Sequence, residues 1–173
     1  MKKIITLLGL VLGLVSCTHT KYFVKSERDL SQIDMERNVL NIIPLMDEDL
    51  KYSAILDTTY KLIRSRKFSK LRRHLSSVQS EAPDFYLAKT LYHISKREYQ
   101  NAIINLRLIN DGYYTLIRDL LLIDLDYELT RLAGTRDFRR FLRDYQNLID
   151  RYPDDEFLRK IIALRIRHIR YNQ

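Results

Sequence analysis

Apolar residues recur at intervals of three and four along most of the chain, and this spacing places them on one face of an amphipathic helix. The pattern is strongest between Gly134 and Asp155, where Pro153 follows the apolar run. The apolar positions of this stretch are Phe138, Phe141, Leu142, Tyr145, Leu148, Ile149 and Tyr152. The stretch therefore predicts a helix with one buried face that ends at Pro153.

The same pattern occurs in pairs of segments earlier in the chain, each pair joined by a short polar turn. The first pair has its turn at 64–67, the second at 95–98 and the third at 134–137. The apolar faces of the first pair are Tyr52, Ile55, Leu56, Thr59, Tyr60 and Ile63, then Phe68, Leu71, Leu75 and Val78, before Pro83. Those of the second are Leu87, Ala88, Leu91, Tyr92 and Ile94, then Tyr99, Ala102, Ile103, Leu106 and Ile109. The chain thus predicts three helical hairpins, with Pro83 and Pro153 ending two of the second helices.

The second helices of the three pairs share apolar positions at the same offsets from Phe68, Tyr99 and Phe138. These offsets resemble the second helix of the tetratricopeptide repeat, and the resemblance covers roughly residues 50–155. The starting positions lie 31 and 39 residues apart, whereas the family period is about 34, so the repeats are degenerate. The resemblance implies a short right-handed solenoid of about three hairpins. The alternative is a non-repetitive helical bundle.

Both alternatives are all-α. After Cys17 the only glycines are Gly112 and Gly134, and the prolines fall at segment ends, so a strand-rich fold is not expected. The segment 154–171 mixes apolar residues with arginines, and we expect a helix that caps the last repeat. A weaker amphipathic pattern at 26–45 predicts an N-terminal helical segment before the repeat domain.

The first 16 residues predict a signal peptide. Lys2 and Lys3 precede the apolar run IITLLGLVLGLVS, which is too short for the ~20 residues of a membrane span. The sequence LVSC that ends at Cys17 resembles the lipobox of bacterial lipoproteins, which implies cleavage before this cysteine and its acylation. Cys17 is the only cysteine, so the mature chain forms no internal disulfide. The alternative is an ordinary secretory signal with an incidental cysteine.

The predicted organisation is a signal peptide at 1–16, a lipidated tether at 17–25, an N-terminal helical segment at 26–45 and a tetratricopeptide-like domain at 46–171. Lipid attachment at Cys17 would place the domain on a bilayer in the bacterial cell envelope. A non-acidic residue after the lipobox cysteine, here Thr18, favours the outer membrane over the inner.

Positive charge exceeds negative charge along the chain, with 30 Lys and Arg against 22 Asp and Glu and a net charge of +8. Basic clusters occur at 64–74 and 136–143 and near the C-terminus. Solvated helix faces explain most of these charges, and the alternative is that they meet anionic lipid or an acidic protein surface. No nucleic-acid partner is expected, because an exported lipoprotein rarely meets nucleic acid.

The chain shows no pattern typical of a catalytic or cofactor site. The histidines, His19, His74, His93 and His168, lie far apart in sequence, with no second ligand at metal-binding spacing. There is no glycine-rich phosphate loop, and no serine lies in a nucleophile elbow. We therefore predict a protein that is not an enzyme and binds no metal or cofactor.

Tyrosine is the dominant aromatic residue, with 12 tyrosines and no tryptophan. Tyr60, Tyr92 and Tyr127 lie on first helices, which line the concave groove in the tetratricopeptide family. The resemblance therefore implies these tyrosines, together with Arg64, as partner-binding residues. The alternative for each tyrosine is a core position with its hydroxyl at the rim.

These patterns together predict a membrane-anchored envelope lipoprotein that acts as a scaffold for protein partners. The lipobox and helical repeats resemble the tetratricopeptide lipoprotein of the outer-membrane β-barrel assembly machine, which implies a role in envelope assembly. The alternative is a surface-exposed lipoprotein that binds host factors or anionic lipid through its basic helix faces.

Overall fold

The computed structural model describes residues 53–134 and 138–171, and in these two ranges all regular structure is helical. The helices are α1 (Ala54–Arg64), α2 (Phe68–Ser77), α3 (Pro83–Ser95), α4 (Tyr99–Arg107), α5 (Gly112–Leu132), α6 (Arg139–Arg151) and α7 (Glu156–Tyr171). The prediction of an all-α fold is thus confirmed. The predicted signal peptide at 1–16, tether at 17–25 and N-terminal segment at 26–45 lie outside the described residues.

Local sequence explains where several helices begin. The backbone N–H of Leu56 donates to the Ser53 hydroxyl at 3.2 Å, which caps α1. The backbone N–H of Leu158 donates to the Asp155 carboxylate at 2.7 Å before α7 in the same way. Pro83 starts α3, at a position where a missing N–H is tolerated. The prediction that Pro83 ends the preceding helix was therefore wrong, because α2 ends earlier, at Ser77.

The first two hairpins share one turn geometry. The first turn contains Arg66 with φ 55° and the second contains Arg97 with φ 60°. In the first turn the Arg66 N–H donates to the Ile63 carbonyl and the Lys67 N–H donates to the Leu62 carbonyl, both at 2.9 Å. The equivalent two bonds close the turn around Arg97, also at 2.9 Å each. This pair of bonds defines the Schellman motif, and here it recurs after 31 residues.

The third hairpin is longer than the first two. Its first helix, α5, has 21 residues, whereas α3 has 13. Its turn contains Gly134, whose φ of 74° is the left-handed conformation that glycine adopts without a steric penalty. The greater length of α5 contributes to the wider spacing between Tyr99 and Phe138.

The core is built by helices that pack on their neighbours in sequence and on the next helix but one. α3 is central, since it contacts α1, α2, α4 and α5, and it contributes Leu87, Leu91 and Ile94, all fully buried. Ala102 of α4 is also fully buried, and its small side chain permits close packing against α3. α6 lies against both α5 and α7. Such packing is common to several helical folds, so the predicted solenoid stays a prediction at this point.

Candidate functional site

The predicted partner-binding residues occupy three helices. Tyr60 and Arg64 belong to α1, and Arg64 is exposed, whereas Tyr60 is half-buried. Tyr92 lies on α3 and is also half-buried. Because α1 packs against α3, these three residues belong to neighbouring helices. Each keeps some accessible surface, and their role in binding a partner stays a prediction.

Tyr92 is held in place by contacts around the second turn. Its ring meets the His93 imidazole edge-on, with ring centroids 5.2 Å apart. His93 Nδ1 lies 2.7 Å from the Glu98 carboxylate, and this hydrogen bond is the main cause that lowers the pKa of Glu98. The Ser95 hydroxyl donates to the Tyr92 carbonyl oxygen at 2.7 Å. A partner that contacts Tyr92 would therefore meet an ordered turn rather than an isolated side chain.

Tyr127 does not lie on an accessible surface. Its side chain is buried with 3% of its area exposed. The Tyr127 ring packs between two rings of the third hairpin, 5.1 Å from Phe138 and edge-on to Phe141 at 5.4 Å. Burial is the main cause that raises the pKa of the Tyr127 hydroxyl. The prediction of Tyr127 as a groove residue is therefore corrected, and its core alternative describes the side chain.

The most enclosed polar cluster joins the last three helices. The Arg165 guanidinium of α7 donates from Nε and Nη2 to the two carboxylate oxygens of Asp124 on α5, each at 2.8 Å. The Tyr145 hydroxyl of α6 donates to the same carboxylate at 2.5 Å. All three side chains are fully buried. The carboxylate thus accepts three hydrogen bonds within the core, which is the arrangement that a buried charge needs.

The electrostatics of this cluster follow from its burial and its opposite charges. Burial and the Asp124 carboxylate raise the pKa of Tyr145 well above its usual value, because both disfavour a phenolate. Burial alone would lower the pKa of Arg165, but Asp124 outweighs it and the pKa is raised. Tyr145 therefore stays a neutral phenol and Arg165 stays a charged guanidinium, and the enclosure of the cluster suits it to joining helices rather than to chemistry on a substrate.

Sequence reasoning missed this cluster. The prediction of solvated basic faces near the C-terminus does not distinguish Arg165 from the other arginines, and it gives Asp124 no role. A signal was present, because Arg165 follows Leu158, Ile161 and Ile162 at the i+7, i+4 and i+3 positions of one helical face. Asp124 likewise follows Leu120 at i+4. A charged residue at a position that periodicity assigns to the core indicates a buried ion pair.

A cleft of about 280 Å³ lies between α5 and α6. Its lining combines Asp119, Leu122 and Ile123 of α5 with Asp144, Asn147, Leu148 and Arg151 of α6. Arg151 bridges to Asp119 across the cleft at 2.5 Å, and Arg140 bridges to Asp126 between the same helices at 2.8 Å. The lining of the cleft thus combines apolar side chains with partly exposed charged side chains, and such a lining can contact a segment of another chain.

The described ranges 53–134 and 138–171 hold no group of three or more His, Cys, Asp or Glu side chains placed to bind a metal. No helix in these ranges is both long enough and apolar enough to span a bilayer. Cys17, the predicted site of lipid attachment, lies outside the described residues.

No family model, no curated protein and no solved structure matches the chain.

Proposed function

We propose that this chain is a lipid-anchored protein of the bacterial cell envelope that acts as a scaffold for protein partners and is not an enzyme. Acyl chains on Cys17 hold it on a bilayer, which is more often the outer than the inner membrane for a chain with Thr18 after the cysteine. Its helices form a short right-handed solenoid of tetratricopeptide-like hairpins with α7 as the terminal cap. The role resembles that of the tetratricopeptide lipoprotein of the β-barrel assembly machine.

The observation that carries this proposal is the recurrence of the Schellman turn around Arg66 and Arg97. The interval of 31 residues is close to the family period of about 34, and α1 packs against α3, as the first helices of stacked hairpins do. Stacked hairpins present repeated positions on one extended surface. We propose that Tyr60 and Arg64 of α1 and Tyr92 of α3 belong to this surface, although the interval of 31 residues does not pair Tyr60 with Tyr92.

The anchor is supported by the lipobox-like sequence that ends at Cys17. Each buried methylene of an acyl chain contributes about 0.8 kcal/mol, so two chains give stable attachment. In a bacterium that processes lipoproteins, radiolabelled fatty acid should label the full chain and should not label Cys17→Ala. Because Cys17 is the only cysteine, label that persists in the variant cannot come from a second thiol and would disprove the anchor.

The partner surface is tested by placing a photo-reactive amino acid at Arg64 or Tyr92 in the full chain. We expect a discrete cross-linked adduct with an envelope protein from both positions. Arg143 on α6 and Arg159 on α7 are exposed control positions on other helices, and they should give no such adduct. Adducts of equal yield at all four positions would contradict a groove on the first helices.

The identity of the adduct separates this function from its alternative. A component of envelope assembly supports the scaffold proposal. An external ligand would instead support a surface-exposed lipoprotein that binds host factors. The basic faces of that alternative are the clusters at 64–74, at 136–143 and near the C-terminus.

A further inference from the structure

The net positive charge of the chain is concentrated in its first described hairpin. The range Ala54 to Ser77 covers α1 and α2. It contains seven Lys and Arg residues and one acidic residue, Asp57, so its net charge is +6. The whole chain of 173 residues carries +8. All other residues together therefore contribute only +2, although α7 by itself carries +4. One cation of α7, Arg165, is buried and paired with Asp124, so the hairpin displays the larger positive charge at its surface.

Six of these seven cations lie on the surface and form no ion pair with another described residue. Lys61 bonds to Asp57 at 2.6 Å. The other six cations are all exposed, and none pairs with a described carboxylate; they are Arg64, Arg66, Lys67, Lys70, Arg72 and Arg73. We call these six residues the basic face.

The positions of the basic face follow from the helical geometry of α2. Leu71 and Leu75 point into the core and are buried. The exposed positions of the helix are Ser69, Lys70, Arg72, Arg73, Ser76 and Ser77. This surface thus combines cations with small hydroxyl side chains and contains no carboxylate. Lys96, which follows the end of α3, extends it, since its ammonium lies 5.5 Å from the centroid of the Phe68 ring at the start of α2.

The types of exposed residue on this hairpin indicate which class of anionic partner it can bind. Its exposed residues are only Lys, Arg, Ser and Ala54. The aromatic rings of Tyr60 and Phe68 are half-buried, so no fully exposed ring is available for stacking on nucleic-acid bases. A protein interface commonly has a buried apolar or aromatic anchor, which the exposed positions of α2 lack, unlike α1 with its half-buried Tyr60. A plane of phosphate groups requires only positive charge and hydrogen-bond donors.

We propose that the basic face of the α1–α2 hairpin docks on the anionic head groups of a lipid bilayer. Clusters of four to eight Lys and Arg are typical of surfaces that bind acidic phospholipid. The attraction acts within a Debye length of about 8 Å at physiological salt, so the face must lie at the membrane surface. The docking does not depend on the proposed acylation, but an acyl anchor at Cys17 would hold the hairpin close to such a surface.

The test uses the chain from Cys17 to Gln173 with Cys17→Ser, so that no acyl chain contributes. Binding is measured by co-flotation with vesicles of phosphatidylcholine alone or with 30% phosphatidylglycerol, in low and in high salt. We expect binding only to the anionic vesicles, with release at about 0.5 M salt, where screening shortens the range of the attraction.

Two variants that lose the same net charge test whether vesicle binding depends on the basic face. The first is Lys70→Gln, Arg72→Gln and Arg73→Gln, which removes half of the basic face. Each cation near an anionic membrane strengthens binding by roughly fivefold, so this variant should bind about a hundredfold more weakly. The matched control is Arg143→Gln, Arg159→Gln and Arg170→Gln, which removes three exposed cations from α6 and α7 and should bind within about twofold of the parent chain. Circular dichroism verifies that both variants keep the helical content of the parent.

Three results would overturn the proposal. The parent chain could fail to bind anionic vesicles, or the two variants could lose binding equally, which would show that total charge and not this face is responsible. A single-stranded oligonucleotide or polyglutamate could also bind the face more tightly than vesicles of the same total charge. None of these results depends on acylation or on the cross-linking at Arg64 and Tyr92, so failure here is distinct from failure of the scaffold.

Discussion

Arg165 and Asp124 form a two-pronged ion pair across 41 positions of sequence, with both N–O distances at 2.8 Å and both side chains closed to solvent. The pair joins α7 to α5, and the Tyr145 hydroxyl of α6 donates a third hydrogen bond to the Asp124 carboxylate. Removing one member of a buried pair leaves an uncompensated charge in the core, which is more destabilising than removing both.

Asp124→Ala is therefore expected to lower the free energy of unfolding by about 3–5 kcal/mol. The double variant Asp124→Leu with Arg165→Met replaces both charges by apolar side chains of similar volume and should recover most of that loss. Urea denaturation of the single and double variants measures both quantities. If the double variant were less stable than Asp124→Ala, the two residues would not be compensating each other.

Tyr145→Phe should be destabilising by about 1–2 kcal/mol at neutral pH, because the Asp124 carboxylate loses one of its donors. The pKa of Tyr145 is raised in the fold above its ordinary value of 10.0. Above pH 10 the unfolded chain loses this proton while the folded chain keeps it, so the contribution of Tyr145 to stability falls as pH rises.

The difference in unfolding free energy between the parent chain and Tyr145→Phe should consequently be constant from pH 7 to about 9 and shrink above pH 10. Denaturation of both proteins at each pH gives this difference, and the titration of the other tyrosines cancels in it. A difference that grew with pH above 10 would mean that the hydroxyl is ionised in the fold.

Arg66→Gly should stabilise the protein, since Arg66 has a φ of 55°, where a residue with a Cβ is strained by roughly 1–2 kcal/mol. Glycine is more flexible in the unfolded chain, which offsets part of this gain, so we expect about 0.5–1 kcal/mol. The control is Lys70→Gly, at an exposed position inside α2, which should be destabilising by about 1 kcal/mol. Thermal melts that showed the same sign for both glycines would contradict the turn geometry.

Tyr127→Ala tests the correction made to the predicted groove. Its ring fills space between Phe138 and Phe141, and truncation of a buried aromatic residue costs about 3–5 kcal/mol. Tyr60 is half-buried, and Tyr60→Ala should cost about 1 kcal/mol, in the range of an average substitution. Melting curves of the two variants give the comparison, and equal losses would show that Tyr60 is as much a core residue as Tyr127.

Periodicity predicted the helices of the described ranges because burial of one face determines both the spacing and the secondary structure. The C-terminal segment was predicted on a different ground: its last residues alternate like a strand, and a helix was expected there because the last repeat needs a cap. α7 is a helix, and the i, i+3, i+4 spacing from Leu158 to Ile169 agrees with it. Pro83 shows the limit, since proline is compatible with the end of one helix and with the first turn of the next.

The sequence could indicate that Asp124 and Arg165 are buried, but it could not pair them with each other. Spacing identifies which face of a helix is buried, but the partner of a buried charge is set by how distant helices pack. Asp124 and Arg165 each lie on a helix face that is otherwise apolar. The residues next to one of them in sequence do not indicate that the other is its partner. The exposure of Tyr60 and Tyr92 and the burial of Tyr127 likewise depend on the packing of the third hairpin, in which Phe138 and Phe141 enclose only the last of the three.

The separation of Asp124 from Arg165 also has a consequence for how the chain is made. A ribosome synthesises α5 and α6 before it reaches residue 165, so the Asp124 carboxylate exists for a time with no guanidinium to neutralise it. Burying it in that interval would be unfavourable, and the third hairpin should not close stably until the C-terminal helix has emerged. A nascent chain that stays open until its last turns are complete is one that can still be threaded through a translocation channel.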